Sequence, residues 1–191
     1  MARVGLDIKK IIEAATEIAD KEGTEGVTLA AIARKLSVRP PSLFNHVRGL
    51  PQIKRELSLF GVRKLHENMR VMSEDKTREA AIFAMANAYL QFTCEHPGLY
   101  EYTIAPPQPK DEEIEQEGNK IISLIIDSLS DYKLSEEDSI HAVRGLRSIL
   151  HGFSSLEQKG GFGMPLDREE SLRLLLQAFL TGLNNGAQFN K

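Results

Sequence analysis

The sequence predicts an all-α protein of about nine helices, with a three-helix helix-turn-helix unit at the N-terminus and a larger helical unit after it. Apolar residues recur at three- and four-residue spacing from Ile8 to Leu183. Capping residues and Gly or Pro breakers bound each such segment, and no stretch alternates as a half-buried strand does. A boundary at residue 50 is expected to divide the chain into units 1–50 and 51–191.

Residues 7–22 carry Ile8, Ile11, Ile12, Ala15, Ile18 and Ala19 on one face and end at Gly23, so they predict an amphipathic helix roofing the next two. Thr28 stands at the N-cap of the second helix, whose inner face is Leu29, Ile32, Ala33 and Leu36. Ser37 and Val38 make the turn. Arg39-Pro40-Pro41-Ser42 opens the third helix, where prolines fit because first-turn N–H groups have no intrahelical partner. Leu43, Phe44 and Val47 are expected to face inward, leaving Arg39, Ser42, Asn45, His46 and Arg48 outside. Gly49-Leu50-Pro51 is a break before a long helix reaching about Met72, with Ile53, Leu57, Phe60, Leu65 and Met69 on its apolar side. Gly61 inside that helix costs roughly 1 kcal/mol relative to Ala and is read as a site of close packing.

Residues 76–95 are helical through Ala80, Phe83, Ala84, Ala88, Tyr89 and Phe92, and His96-Pro97-Gly98 closes them. A short helix over 99–104 and an irregular connection over 105–109 follow. Asp111, Glu112 and Glu113 then favour a helix start. That helix, to about Leu129, is apolar on more than one side (Ile114, Ile121, Ile122, Leu124, Ile125, Ile126) and is expected to be central. Ser135-Glu136-Glu137-Asp138 resembles a capping box and opens the next helix, which runs through Ile140, Val143, Leu146, Ile149, Leu150 and Phe153 to Leu156. Residues 160–165 form a loop, and Asp167 caps a last helix bearing Leu172, Leu174, Leu175, Leu176, Phe179, Leu180 and Leu183. Leu174 to Leu176 cannot all face one core, so a second packing partner is implied.

The net charge of −3 hides an asymmetry. Between Thr28 and Lys64 lie Arg34, Lys35, Arg39, Arg48, Lys54, Arg55, Arg63 and Lys64 against the single acid Glu56, whereas acids outnumber bases beyond Lys110. Attraction to phosphate would be confined to the N-terminal part. The one cysteine, Cys94, excludes an intrachain disulfide and fits a reducing compartment. No apolar run approaches the roughly 20 residues a membrane span needs, and no signal-peptide pattern opens the chain, so a soluble cytoplasmic protein is expected.

A short exposed helix bearing Arg39, Ser42 and Asn45 suits a major groove, because Arg pairs with guanine, Asn with adenine and Ser with either. Thr28, His46, Arg48 and Lys54 fit phosphate or sugar, which positions the helix without choosing sequence. Pro40 and Pro41 stiffen it and offer apolar contact to a thymine methyl. The plain alternatives are a solvated helix face, simple capping by Thr28, and prolines that only initiate a helix. Histidines 66, 96, 141 and 151 have no tight metal spacing, no phosphate-cradling glycine loop or nucleophile motif is present, and neither enzyme activity, cofactor nor metal is predicted.

The order of parts resembles the TetR family of transcriptional regulators. The resemblance rests on Gly23, Val27-Thr28-Leu29, Ile32-Ala33, Leu36 and Val38, then Ser42-Leu43-Phe44 and His46-Val47, and is specific over about residues 8–57. Leu150-His151-Gly152-Phe153, before a glycine loop and a final helix, is similar to one of the family's regulatory domains. The family often has tyrosine at the position of Phe44 and lysine at that of Leu50, both on phosphate; Phe44 stays among the DNA-facing residues, and Arg48, Lys54 and Arg55 are near enough to substitute. The resemblance implies a homodimer built on the last two helices, here Leu146, Ile149, Leu150, Phe153, Leu172, Leu175, Leu176, Phe179 and Leu183. It also implies a repressor that a small, largely apolar ligand releases from a near-palindromic operator. Pocket candidates are Phe60, Met69, Phe83, Tyr89, Phe92, Tyr100, Tyr102, Ile125, His151 and Phe153, although aromatic and Met residues at helical spacing pack cores more often than they line pockets. The competing readings are a helical enzyme or ligand carrier whose N-terminal helix pair contacts protein, and a regulator with no small effector.

Overall fold

The computed structural model describes the backbone of residues 6–104 and 110–189, so the expected connection over 105–109 lies outside the described residues. Nine α-helices are described: α1 (Ile8–Glu22), α2 (Leu29–Lys35), α3 (Pro40–Leu43), α4 (Leu50–Ser73), α5 (Arg78–Glu95), α6 (Pro97–Ile104), α7 (Glu112–Ser128), α8 (Glu136–Gln158) and α9 (Arg168–Phe189). Short 3₁₀ turns occupy Thr24–Gly26 and Ser130–Tyr132, and the described residues contain no strand. The chain forms two compact units, Met1–Lys64 with Glu95–Glu117, and Leu65–Cys94 with Gly118–Lys191.

In the first unit the local caps do what their residue types dictate. Asp7 accepts the Lys10 N–H at 2.8 Å to start α1, and Thr28 Oγ1 accepts the Ala31 N–H at 3.1 Å to start α2. Gly23, at φ +77°, turns the chain out of α1 in a conformation that disfavours a side chain. Ile11, Ala15, Ile32, Leu43, Ile53 and Leu57 are fully buried. Burial of such side chains, at about 1.5–3 kcal/mol each, holds the short helices α2 and α3, which are too brief to persist alone. The expected break at His96-Pro97-Gly98 falls on His96 alone, after α5 ends at Glu95. Pro97 is the first residue of α6, where its missing N–H leaves nothing unsatisfied.

In the second unit α5 is more deeply buried than α7, on which the expectation of a central position was placed. Ala81, Ile82, Ala84, Met85, Ala86, Ala88, Tyr89 and Phe92 of α5 are all buried, and Asn87, Gln91 and Cys94 form the exposed stripe of the helix. Four of these buried residues are alanines, small side chains that apolar counting alone underweights. Of the apolar α7 residues only Ile114 and Ile125 are buried, whereas Ile121, Ile122, Leu124 and Ile126 are half-buried. Ser135 caps α8 by accepting the Asp138 N–H at 3.1 Å, and Asp167 caps α9 through the Glu169 N–H at 2.9 Å. Gly145 lets α8 approach α9, since a β-carbon there would lie 3.0 Å from the Phe179 ring. Phe162 folds the glycine loop back so that its ring lies 4.8 Å from that of Phe153.

Candidate nucleic-acid interface

The turn between α2 and α3 is built by backbone bonds. Ser37 takes a left-handed φ of 54°, the Val38 N–H donates to Ala33 O at 2.9 Å and the Ser37 N–H to Arg34 O at 3.1 Å. Those bonds satisfy the last carbonyls of α2 and redirect the chain. Arg39 is extended, with Pro40 and Pro41 as the first residues of α3. Arg39, Pro40, Pro41, Asn45, His46 and Arg48 are exposed, Ser42 is half-buried, and Thr28 is exposed while serving as a cap.

Phe44 differs from the sequence expectation. It does not face inward but is 57% exposed, while Leu43 and Val47 are buried. At the end of α3 three-back bonds appear: the Phe44 N–H donates to Pro41 O and the His46 N–H to Leu43 O, while the Val47 N–H keeps a four-back bond to Leu43 O. A three-residue turn advances each side chain by more than an α-helix does, and this carries Phe44 to the same surface as Asn45. Gly49, at φ +134°, and the Arg48 N–H bonded to Gln52 Oε1 at 2.7 Å then set the start of α4.

Half of the basic residues between Thr28 and Lys64 are occupied inside the protein. Lys35 pairs with Glu17 of α1 at 2.6 Å and holds that carboxyl below its usual range. Arg55 reaches Asp111 at 2.6 Å, Glu113 at 2.6 Å and Glu56 at 3.0 Å. Its hydrogen bonds depress the Asp111 and Glu113 carboxyls, and theirs raise the guanidinium further above its ordinary value. Arg55 therefore does not stand free for phosphate. Arg63 pairs with Glu117 at 3.0 Å and Glu113 at 2.9 Å, and Lys64 sits over the Phe60 ring at 6.0 Å. Arg34, Arg39, Arg48 and Lys54 remain exposed, with no carboxylate partner among the described residues. Arg34 was not among the residues singled out from the sequence. Its only signal there was its share of the basic run.

Residues 82–179 match the family described as Tetracyclin repressor-like, C-terminal domain. Over 182 residues, 95% of this chain and 94% of the relative, the sequence is 42% identical to an uncharacterized HTH-type transcriptional regulator, YobS, of Bacillus subtilis (strain 168). The chain belongs to the TetR family of transcriptional regulators. The fold is shared with the transcriptional regulator SCO7222, a TetR from Streptomyces coelicolor, at a TM-score of 0.73 and 15% identity, covering 95% of this chain and 99% of that one. It is shared also with a TetR variant from Acinetobacter baumannii AYE in complex with minocycline, at a TM-score of 0.68 and 17% identity, covering 95% and 98%.

This TetR-family chain distributes the other predicted residues unevenly. Tyr100 and Tyr102 are buried in the first unit, and Met69, Tyr89, Phe92, Ile125 and Phe153 in the second, with Phe83 half-buried there. Phe60 and His151 are exposed, against the expectation of an interior position, because each lies on the outer side of its helix. Among the expected dimer residues, Leu146, Leu150, Phe153, Leu172 and Leu176 are buried within one chain and belong to its own core. Leu175 is 42% exposed, and Ile149, Phe179 and Leu183 are half-buried. Leu174, at 52% exposure, completes the outward side of α9. No helix among the described residues is long and apolar enough to cross a membrane.

Proposed function

We propose that this TetR-family regulator is a homodimeric repressor that reads a near-palindromic operator and leaves it when a small, largely apolar ligand binds. The observation that carries this reading is the outward set on and after α3. Arg39, Asn45 and His46 stand exposed beside Phe44 and Pro41, with Arg48 and Lys54 flanking them and no acid among the described residues neutralising the cations. Arg39, Ser42 and Asn45 would meet base edges, Pro40 and Pro41 a thymine methyl, and Thr28, Phe44, His46, Arg48 and Lys54 the backbone.

One reading helix covers a half-site, so two copies spaced about 34–36 Å apart suit consecutive major grooves. The exposed leucines of α9 support self-association, and Gly152 and Gly182 have open space around them in which a second pair of helices would approach closely. The ligand reading draws support from the minocycline complex of the Acinetobacter protein and from the aromatic-rich interior of the second unit, where Met69, Phe83, Tyr89, Phe92, Ile125 and Phe153 would supply apolar lining.

Selection of bound fragments from random genomic DNA, with light scattering on the same preparation, tests this reading. Enrichment of a sequence with twofold symmetry by a particle of two chains is expected. A single-chain particle that enriches nothing contradicts it.

A further inference from the structure

We propose that Asp20 is a positioning residue for the DNA-reading helices: its carboxylate locks the start of α6 onto the end of α1. The inference rests on the DNA-reading function proposed above. Oδ1 of Asp20 accepts the Gly98 N–H at 3.0 Å and the Leu99 N–H at 2.9 Å, and Oδ2 lies 2.8 Å from Nδ1 of His96. The Asp20 side chain is 15% exposed. An N-terminal helix turn has free N–H donors that a cap residue of the same segment usually satisfies. The residue before α6 is His96, which has no short acceptor to serve that purpose, and the cap comes instead from another helix, 78 residues away in the chain.

Backbone packing enforces the same register. A β-carbon at Gly98 would overlap the Ala19 carbonyl, so α6 meets α1 main chain to main chain. On another side, a β-carbon at Gly61 of α4 would stand 2.7 Å from Thr103 Cγ2 and 3.3 Å from Leu99 Cγ. The Tyr102 hydroxyl donates to Thr24 O at 3.4 Å. Within the first unit α6 is thus wedged against α1, α4 and the 3₁₀ turn before α2. Displacing α6 along α1 breaks both amide bonds to Asp20 at once, so the contact is docked or undocked rather than graded.

The consequence for function follows from chain connectivity. The chain leaves the first unit after Lys64, re-enters it at Glu95 and leaves again after Glu117. Only the α4 crossing leads directly from the reading helices. The other two crossings bound the segment Glu95–Glu117, whose polar grip on the rest of the first unit includes Asp20 on α1, Thr24 before α2, and Arg55 and Arg63 on α4. Loosening Asp20 frees the end of α1 that roofs α2 and α3, and the groups that face the DNA lose their fixed orientation.

The test uses the full chain with Asp20→Ala, Asp20→Asn and Gly98→Ala, titrated onto the duplex recovered by genomic selection, alongside thermal unfolding. Asp20→Ala and Gly98→Ala are expected to weaken binding by the folded protein about tenfold, within the usual range of coupling between sites. Asp20→Asn, whose amide oxygen still accepts both N–H groups, should bind within about twofold of wild type. A role confined to stability would lower the unfolding midpoint and leave the affinity of the folded molecule unchanged, and that result overturns the proposal. Amide exchange on the wild type needs no variant: Gly98 and Leu99 should open together with Gly23, which closes α1 on Ala19 O. Unprotected Gly98 and Leu99 beside a protected Gly23 also overturn it. A wild type that ignores DNA even at low salt sinks the operator reading and this inference with it, whereas a binding wild type with an indifferent, folded Asp20→Ala sinks the inference alone.

Discussion

Arg55 and Asp111 form a two-pronged ion pair, Nε to Oδ2 at 2.6 Å and Nη2 to Oδ1 at 3.1 Å, across 56 residues of chain. The pair joins α4 to the start of α7, and Asp111 also accepts the Glu113 and Ile114 N–H groups there. A base in the middle of a positively charged run is in this way removed from the pool available to DNA. Its neighbour Lys54 is exposed, with no carboxylate partner among the described residues.

Lys54→Ala and Arg55→Ala should therefore separate cleanly. Lys54→Ala is expected to weaken binding on every duplex and to reduce the slope of log affinity against log salt by about 1, with an unchanged unfolding midpoint. Arg55→Ala is expected to lower the unfolding midpoint while leaving that slope in place. Fluorescence anisotropy over a salt series, with thermal melts, reads both.

The same ladder gives a pH dependence. Asp111 and Glu113 have folded pKa values below the ordinary 3.8 and 4.5, because the Arg55 hydrogen bonds favour their charged forms. Their contribution is complete above those ordinary values and is lost as pH falls through them toward the depressed ones. Unfolding midpoints of the wild type should drop more steeply below about pH 5 than those of an Asp111→Asn, Glu113→Gln double variant. Parallel curves would show that the pairs contribute nothing measurable.

Phe44 and Leu43 are adjacent and face opposite ways, so their truncations should diverge. Leu43, at 0% exposure, should cost about 2–5 kcal/mol of stability on truncation to Ala. Phe44→Ala, at an exposed site, should stay within about 0.5 kcal/mol of wild-type stability and weaken DNA binding. Urea unfolding and DNA titration on both variants check the pair.

On α9 the leucines divide in the same manner. Leu175→Glu is expected to convert the proposed dimer to monomers that retain wild-type helix content, because Leu175 is 42% exposed within one chain. Leu176→Glu, at 0% exposure, places a charge in the protomer core and should prevent folding. Light scattering and circular dichroism distinguish the two results.

What the sequence reveals and conceals in this chain follows the range of each interaction. Caps at Asp7, Thr28, Ser135 and Asp167 are local, involve residues two or three apart, and are legible from residue type. Outward positions such as Arg39, Asn45, His46 and Arg48 are legible as well, since helical spacing fixes which side faces Leu43 and Val47. Phe44 faces outward, against its expected place beside Leu43 and Val47, because the early end of α3 is not encoded in apolar periodicity. The deeper burial of α5 than of α7 has a similar origin, for alanines look weakly apolar by composition. The partners of Arg55 and Asp20 lie 56 and 78 residues away, and no pattern along the chain connects them.

In the proposed function the exposed groups on and after α3 read base edges. Affinity of the wild type and Arg39→Ala for the selected operator and for a scrambled duplex of equal length, at one fixed salt concentration, tests it most directly. A loss of about 1–3 kcal/mol on the operator and a much smaller loss on the scrambled duplex are expected. An equal loss on both would reduce Arg39 to a phosphate contact and contradict it.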